Sequence, residues 1–144
     1  MKSSAITGLV AAAALTACAT GPKLDYREYA GEPVKSFYLS NLDGWHAVSK
    51  DQIVVWAGIN DAYLLNLAGY CPELPFATTI GLTSTAHYVD KFEKVLVGRD
   101  RCFIREIRPI DTKQLKADRK LVREQMKKGS VEDKPAEEKQ AGST

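Results

Sequence analysis

The spacing of apolar positions changes along the chain. Residues 5–14, AITGLVAAAA, are almost uninterruptedly apolar. A run of about ten residues is too short to cross a hydrocarbon core as a helix, which takes about 20. Preceded by Met1, Lys2 and two serines, it has the form of the apolar core of a secretory signal. Between Val34 and Ile110 the pattern becomes short runs rich in Val, Ile, Tyr and Phe, broken by turn residues, which predicts strands. From Asp111 the spacing becomes helical. After Gly129, in GSVEDKPAEEKQAGST, one valine and two alanines are all the apolar content, and such a segment is expected to be disordered.

Within the strand-like region, VKSFYL places Val34, Ser36 and Tyr38 on one face and Phe37 and Leu39 on the other. WHAVS predicts a second short strand. In QIVVWAG, Ile53, Val55 and Ala57 share a face opposite Val54 and Trp56. AYLLNLAG is open to two readings, since leucine and alanine favour helix. Asn66, Gly69 and Pro72 shorten any such helix, and the strand is preferred. YCPELPFA is a loop, TTIGLTS is strand-like, and TAHYVDKFEK is ambiguous. KVLVGRDRCFI predicts a hairpin, with strands at Val95–Val97 and Cys102–Ile104 and a turn between. The following apolar residues, Ile104, Ile107 and Ile110, are spaced by three instead of two, which places a bulge or strand end near Arg105. Short strands at this spacing predict a mainly β, overall α+β fold: a small antiparallel barrel or sandwich with a C-terminal helix.

The helix is predicted over residues 112–128, with Asp111 as N-cap, Gln114 in capping-box position and Gly129 as its stop. Leu115, Val122 and Met126 form a narrow stripe with Leu121 beside it. The helix carries seven Lys or Arg between Lys113 and Lys128, against Asp118 and Glu124. Its first turn is expected to dock through Leu115 and its second half to stand free.

The signal-like run ends in LTAC, Leu15 to Cys18, which resembles the lipobox of bacterial lipoproteins. That resemblance implies a diacylglycerol on the Cys18 thiol, cleavage before Cys18 and acylation of the new amine. Residues 1–17 are then the signal peptide and 18–33 a lipidated N-terminus and flexible tether; Tyr26 and Tyr29 offer the alternative of docking on the domain. Ala19 in place of an aspartate resembles the outer-membrane-sorted class, which implies an envelope protein facing the periplasm. Several acyl chains are needed for stable anchoring, because one holds only marginally.

The chain has 144 residues, enough for one domain, with 20 basic and 18 acidic side chains. So even a balance argues against nucleic acid as a partner, because phosphate recognition needs a strongly basic surface. Setting Cys18 aside leaves Cys71 and Cys102, and an even pair in an exported chain predicts a disulfide. A CxxC pair and nearby histidines are both lacking, so no metal or cofactor is expected.

NDAYLLNLAGYCPEL, with IGLTS, VLVG and RCFIREI, resembles a family of small proteobacterial lipoproteins classed together as a domain of unknown function. The resemblance covers about Val34 to Asp111 and excludes the basic helix and the tail. It implies a lipobox, a tether and one small two-cysteine domain over residues 34–111, and it implies no activity.

Enzyme motifs are lacking: the chain has no GxSxG, HExxH, Walker loop or dinucleotide fingerprint. His46 and His87 are its histidines. Ser84, His87 and Asp90 can be drawn as a triad, but triads are recognised by geometry and not by closeness in sequence. Asp43 and Asp61 sit near turns, where aspartate is a turn former. The candidate contacts are cationic: Arg101 and Arg105, expected to point outward on one face, and Lys120, Arg123, Lys127 and Lys128 on the helix. These predict an anionic surface or an envelope protein as partner, in addition to the membrane itself through the lipid. The leading expectation is a non-enzymatic binding or scaffolding module. The alternative is a carrier or sensor of a small apolar ligand, which requires a cavity lined by Leu, Ile and Trp.

Overall fold

The computed structural model describes residues 23–132, with side chains described as far as Gly129. Residues 1–22, which include Cys18 and the run read as a signal in sequence, and residues 133–144 lie outside the described residues. The strands are β1 Ser36–Tyr38, β2 Gly44–Ala47, β3 Gln52–Trp56, β4 Ala62–Leu67, β5 Gly81–Leu82, β6 Tyr88–Asp90, β7 Lys94–Val97 and β8 Asp100–Pro109. One helix, α1, runs Thr112–Glu132, and 3₁₀ turns occupy Tyr26–Tyr29 and Leu74–Phe76. The order β2-β3-β4-β8-β7-β5 makes a curled, half-barrel antiparallel sheet, and β1 pairs with β6 as a separate ribbon. The fold is thus mainly antiparallel β with a C-terminal helix.

The AYLLNL segment is a strand, and burial on both sides explains why. β4 lies between β3 and β8. Its alternation sends Tyr63, Leu65 and Leu67 toward the main core and Ala62 and Leu64 toward a second one. Packing on two faces outweighs the helix propensity of leucine. β3 divides the same way, with Ile53 and Val55 inward and Val54 and Trp56 outward. Phe37, Leu39 and Val89 of the β1–β6 ribbon close the open side of the curl, and Phe37 stacks on Tyr63 with ring centroids 4.1 Å apart. Ile53, Val55, Leu65, Leu67 and Val95 are fully enclosed in this main core.

β8 contains the irregularity near Arg105. Its pairing with β4 steps from Asn66↔Glu106 to Leu67↔Ile104, which leaves Arg105 as the extra residue of a bulge. The bulge keeps Ile104 and Ile107 both in the main core. Ile110, three residues further, faces the second core.

The N-terminal stretch departs from the expected flexible tether. Tyr29 is buried in the second core with Leu64, Ile110 and Leu115. The backbone beyond it joins the edge of β8, with Gly31 N–H donating to Pro109 O at 2.8 Å and Val34 N–H to Ile107 O at 2.9 Å. Two tyrosines among polar residues supply enough apolar surface to dock, so the described residues from Lys23 on pack with the domain.

The helix also departs at both ends. Asp111 Oδ1 accepts from Lys113 N and Gln114 N, each at 3.1 Å, as an N-cap should. The Asp111 N–H, however, goes to Tyr29 O at 2.9 Å, which takes the place of the return bond from Gln114. Gly129 does not end the helix, which continues to Glu132. A single glycine costs a helix about 1 kcal/mol and does not by itself end one. Leu115 is fully buried, whereas Leu121 and Met126 are more than half exposed.

Candidate functional site

Cys71 and Cys102 form a disulfide with Cα atoms 5.9 Å apart, tying the β4–β5 connection to the β7–β8 hairpin. The loop is held there twice more: Glu73 Oε2 accepts from Arg99 N at 3.3 Å, and Asp100 Oδ2 accepts from Glu73 N at 3.4 Å. The hairpin turns through Gly98 and Arg99, with Gly98 at φ +57°, a conformation suited to glycine. A Cβ at Gly98 would meet the tip of the flexible Glu73 side chain, which can move aside, so it is the positive φ that favours glycine there. An open groove of about 740 Å³ runs beside this junction, with Phe76 and Leu96 in its walls.

Arg101 and Arg105 are both exposed, but they do not share one groove. Arg101 borders a cleft with Thr83, Lys94 and Leu96. Arg105, displaced by the bulge, borders a second cleft of about 480 Å³ with Pro33, Lys35, Ser36, Lys91 and Phe92. Asp90 and Glu106 also line that cleft. Asp90 Oδ1 accepts from Phe92 N at 2.7 Å. Glu106 takes Arg108 at 2.6 Å and Asn66 Nδ2 at 3.2 Å, the latter part of a polar ladder continued by Gln52. Glu106 is therefore paired, while among the described residues Lys35, Lys91 and Arg105 form no ion pair. Sequence reading found Arg105 alone. Its partners come from segments far apart in the chain, and the irregular spacing after Ile104 was the one local signal of the site.

The helix cations Lys120, Arg123, Lys127 and Lys128 are exposed. Lys113, Lys116, Lys120, Arg123 and Lys127 recur at spacings of three and four, which puts them on one face of α1. Lys116 is partly committed to the β3–β4 turn, donating to Ile59 O at 2.9 Å and Asn60 Oδ1 at 2.7 Å. Arg119 bonds Tyr26 Oη and lies over the Tyr26 and Trp56 rings.

Among the described residues, neither histidine side chain forms a hydrogen bond to an acid or a hydroxyl. His46 packs against Tyr26, centroids 5.2 Å apart, in a small cleft that also contains Asp25. Both Asp25 oxygens accept from the Arg27 guanidinium. That side chain, with the Arg27 backbone N–H, holds Asp25 down to about 2. No Ser, Thr or Cys lines this cleft. His87 lies 5.9 Å from Tyr38 and occupies a turn in which it and Ala86 both have positive φ. Among the described residues, no group of three or more His, Cys, Asp or Glu gathers as a metal site, and no helix is long and apolar enough to cross a membrane.

No curated protein and no solved structure matches the chain. A family of unknown function, DUF6491, matches residues 1–126, reaching further at both ends than the 34–111 segment that carried the resemblance in sequence. Its span takes in the signal-like start, the docked N-terminal stretch, the two-cysteine sheet and most of α1, and the chain belongs to this family.

Proposed function

We propose that the protein is a non-enzymatic binding module of the bacterial envelope, held at the membrane through a lipid on Cys18 and facing the periplasm, with Ala19 favouring the outer membrane. The observation that supports this reading is the docking of the N-terminal stretch on α1. Tyr29 Oη donates to Asp118 Oδ2 at 2.7 Å, and Arg119 bonds Tyr26. The chain is therefore anchored to the domain from about Lys23. The five steps from Cys18 to Lys23 span at most about 17 Å. A lipid on Cys18 then keeps the domain close to the headgroups, and the basic helix starts from the same junction. Each Lys or Arg near an anionic surface contributes about 1 kcal/mol, screened by salt.

The test is metabolic labelling with a palmitate analogue in a bacterial host. The wild-type chain should label and be cut before residue 18. Cys18→Ser should neither label nor be cut by the lipoprotein peptidase. Label retained on the Cys18→Ser chain would refute the anchor.

A further inference from the structure

We propose that the cleft between the β1–β6 ribbon and the bulge of β8 binds a phosphomonoester, with Lys35, Lys91 and Arg105 gripping the phosphate and Phe92 packing on the carbon portion. The position of Arg105 is the first reason. A bulge redirects a side chain at the expense of ladder pairing, and here the extra residue is the arginine at the cleft wall. Charge is the second. Three cations, Lys35, Lys91 and Arg105, line the cleft against two carboxylates: Glu106 is paired with Arg108, whereas Asp90 takes only the Phe92 backbone N–H and keeps its charge, so the cationic side is in excess by the three against Asp90, with Lys91 Nζ lying 5.3 Å over the Phe92 ring. A guanidinium fork with two ammonium groups suits a dianion better than a single carboxylate. Size and chemistry are the third. The volume of about 480 Å³ falls in the range of small-molecule sites, and Phe92, three-quarters exposed, presents an apolar face inside a cationic rim.

A phosphomonoester can arrive as a free metabolite-sized molecule or as the headgroup of a lipid, and two arms of one experiment separate these sources. The protein used is residues 18–144 with Cys18→Ser, which keeps every element described above. It carries no lipid whether or not Cys18 is the acylation site, so the result is independent of the anchor. In the first arm, glycerol 3-phosphate is titrated while backbone amide shifts are followed by NMR. In the second, vesicles of phosphatidylcholine with or without phosphatidic acid are co-sedimented at low and high salt.

A soluble ligand should give saturable shifts centred on Lys35, Lys91, Phe92 and Arg105. Arg105→Gln should weaken binding about tenfold or more, as expected for a lost charge-assisted pair. The Lys127→Gln/Lys128→Gln chain should bind glycerol 3-phosphate as the wild type does. A lipid-headgroup ligand should show in the vesicle arm alone, as phosphatidic-acid-dependent sedimentation that Arg105→Gln and Lys91→Gln both reduce. Two results would overturn the proposal. One is shifts and sedimentation that are insensitive to Arg105→Gln and Lys91→Gln in chains with wild-type spectra. The other is no saturable response in either arm.

Discussion

Tyr29 and Asp118, 89 residues apart, meet through a 2.7 Å hydrogen bond that fastens the N-terminal stretch to the second turn of α1. The accepting carboxylate, together with burial, pushes the Tyr29 hydroxyl up to about 12. A raised pKa means that the folded state holds the proton more tightly than the unfolded chain. The contribution is therefore complete below the ordinary tyrosine value of 10.0 and is lost as pH rises toward about 12. Denaturation at a series of alkaline pH values should show wild-type stability falling across this window, and Tyr29→Phe should flatten that part of the fall. At neutral pH Tyr29→Phe should cost about 1.5–3 kcal/mol, the range for a hydrogen bond to a charged partner.

The exposed half of the helix should be dispensable for folding. Truncation after Arg119 keeps Leu115, Asp118 and Arg119, and we expect stability to change by less than about 1 kcal/mol, because the segment removed buries little apolar surface. Truncation after Asp111 removes Leu115 from the second core and should cost about 2–5 kcal/mol, as for deletion of a buried leucine. Urea titration of both chains distinguishes an appendage from a core helix. The shorter truncation also removes Lys120, Arg123, Lys127 and Lys128, so it should weaken sedimentation with phosphatidylglycerol vesicles at low salt.

The Cys71–Cys102 bridge closes a loop with a sequence separation of 31. In the chain-entropy description such a loop contributes on the order of 3–4 kcal/mol. Reduction should lower the thermal midpoint markedly, and non-reducing peptide mapping of protein from the periplasm should recover the linked pair. Free thiols at both positions in such protein would contradict the pairing.

The turn at Ala86 and His87 is unusual in having two non-glycine residues with positive φ, 50° and 65°. Thr85 and Tyr88 exchange backbone hydrogen bonds of 2.9 Å around it, which is a two-residue hairpin of the kind that favours Asn-Gly. Left-handed backbone costs an L-residue roughly 1–2 kcal/mol. The double replacement Ala86→Asn with His87→Gly should therefore stabilise the domain by about 1–2 kcal/mol. Unchanged or lower stability in thermal melts would show that the His87–Tyr38 contact outweighs the backbone relief.

Much of the sheet was readable from two-residue alternation. The opposite faces of Phe37 and Tyr38, of Val54 and Val55, and the hairpin around Gly98 follow from it, and even the bulge at Arg105 left a trace in the isoleucine spacing. The second core was not readable. Val54, Leu64, Tyr29 and Leu115 come together only because the sheet is covered on its outer face, and no periodicity within one segment reports a contact between segments. For the same reason Tyr26 and Tyr29 sit in a stretch whose prolines and glycines suggest a linker. The cleft at Arg105 was hidden because Lys35 and Lys91 are ordinary surface lysines until the β1–β6 ribbon lies beside β8.

The union of Ala30 with Ile110 and of Tyr29 with Asp118 also constrains the order in which the molecule can assemble. Tyr29 and Ala30 are synthesised long before their partners, Asp118 and Ile110. Ring closures over such sequence distances are entropically slow. Until residues 110–118 are made, Val54 and Leu64 lack Ile110 and Leu115 from the second core. The nascent domain therefore presents an incompletely covered apolar sheet face, and that face is closed only when the first and last described segments meet.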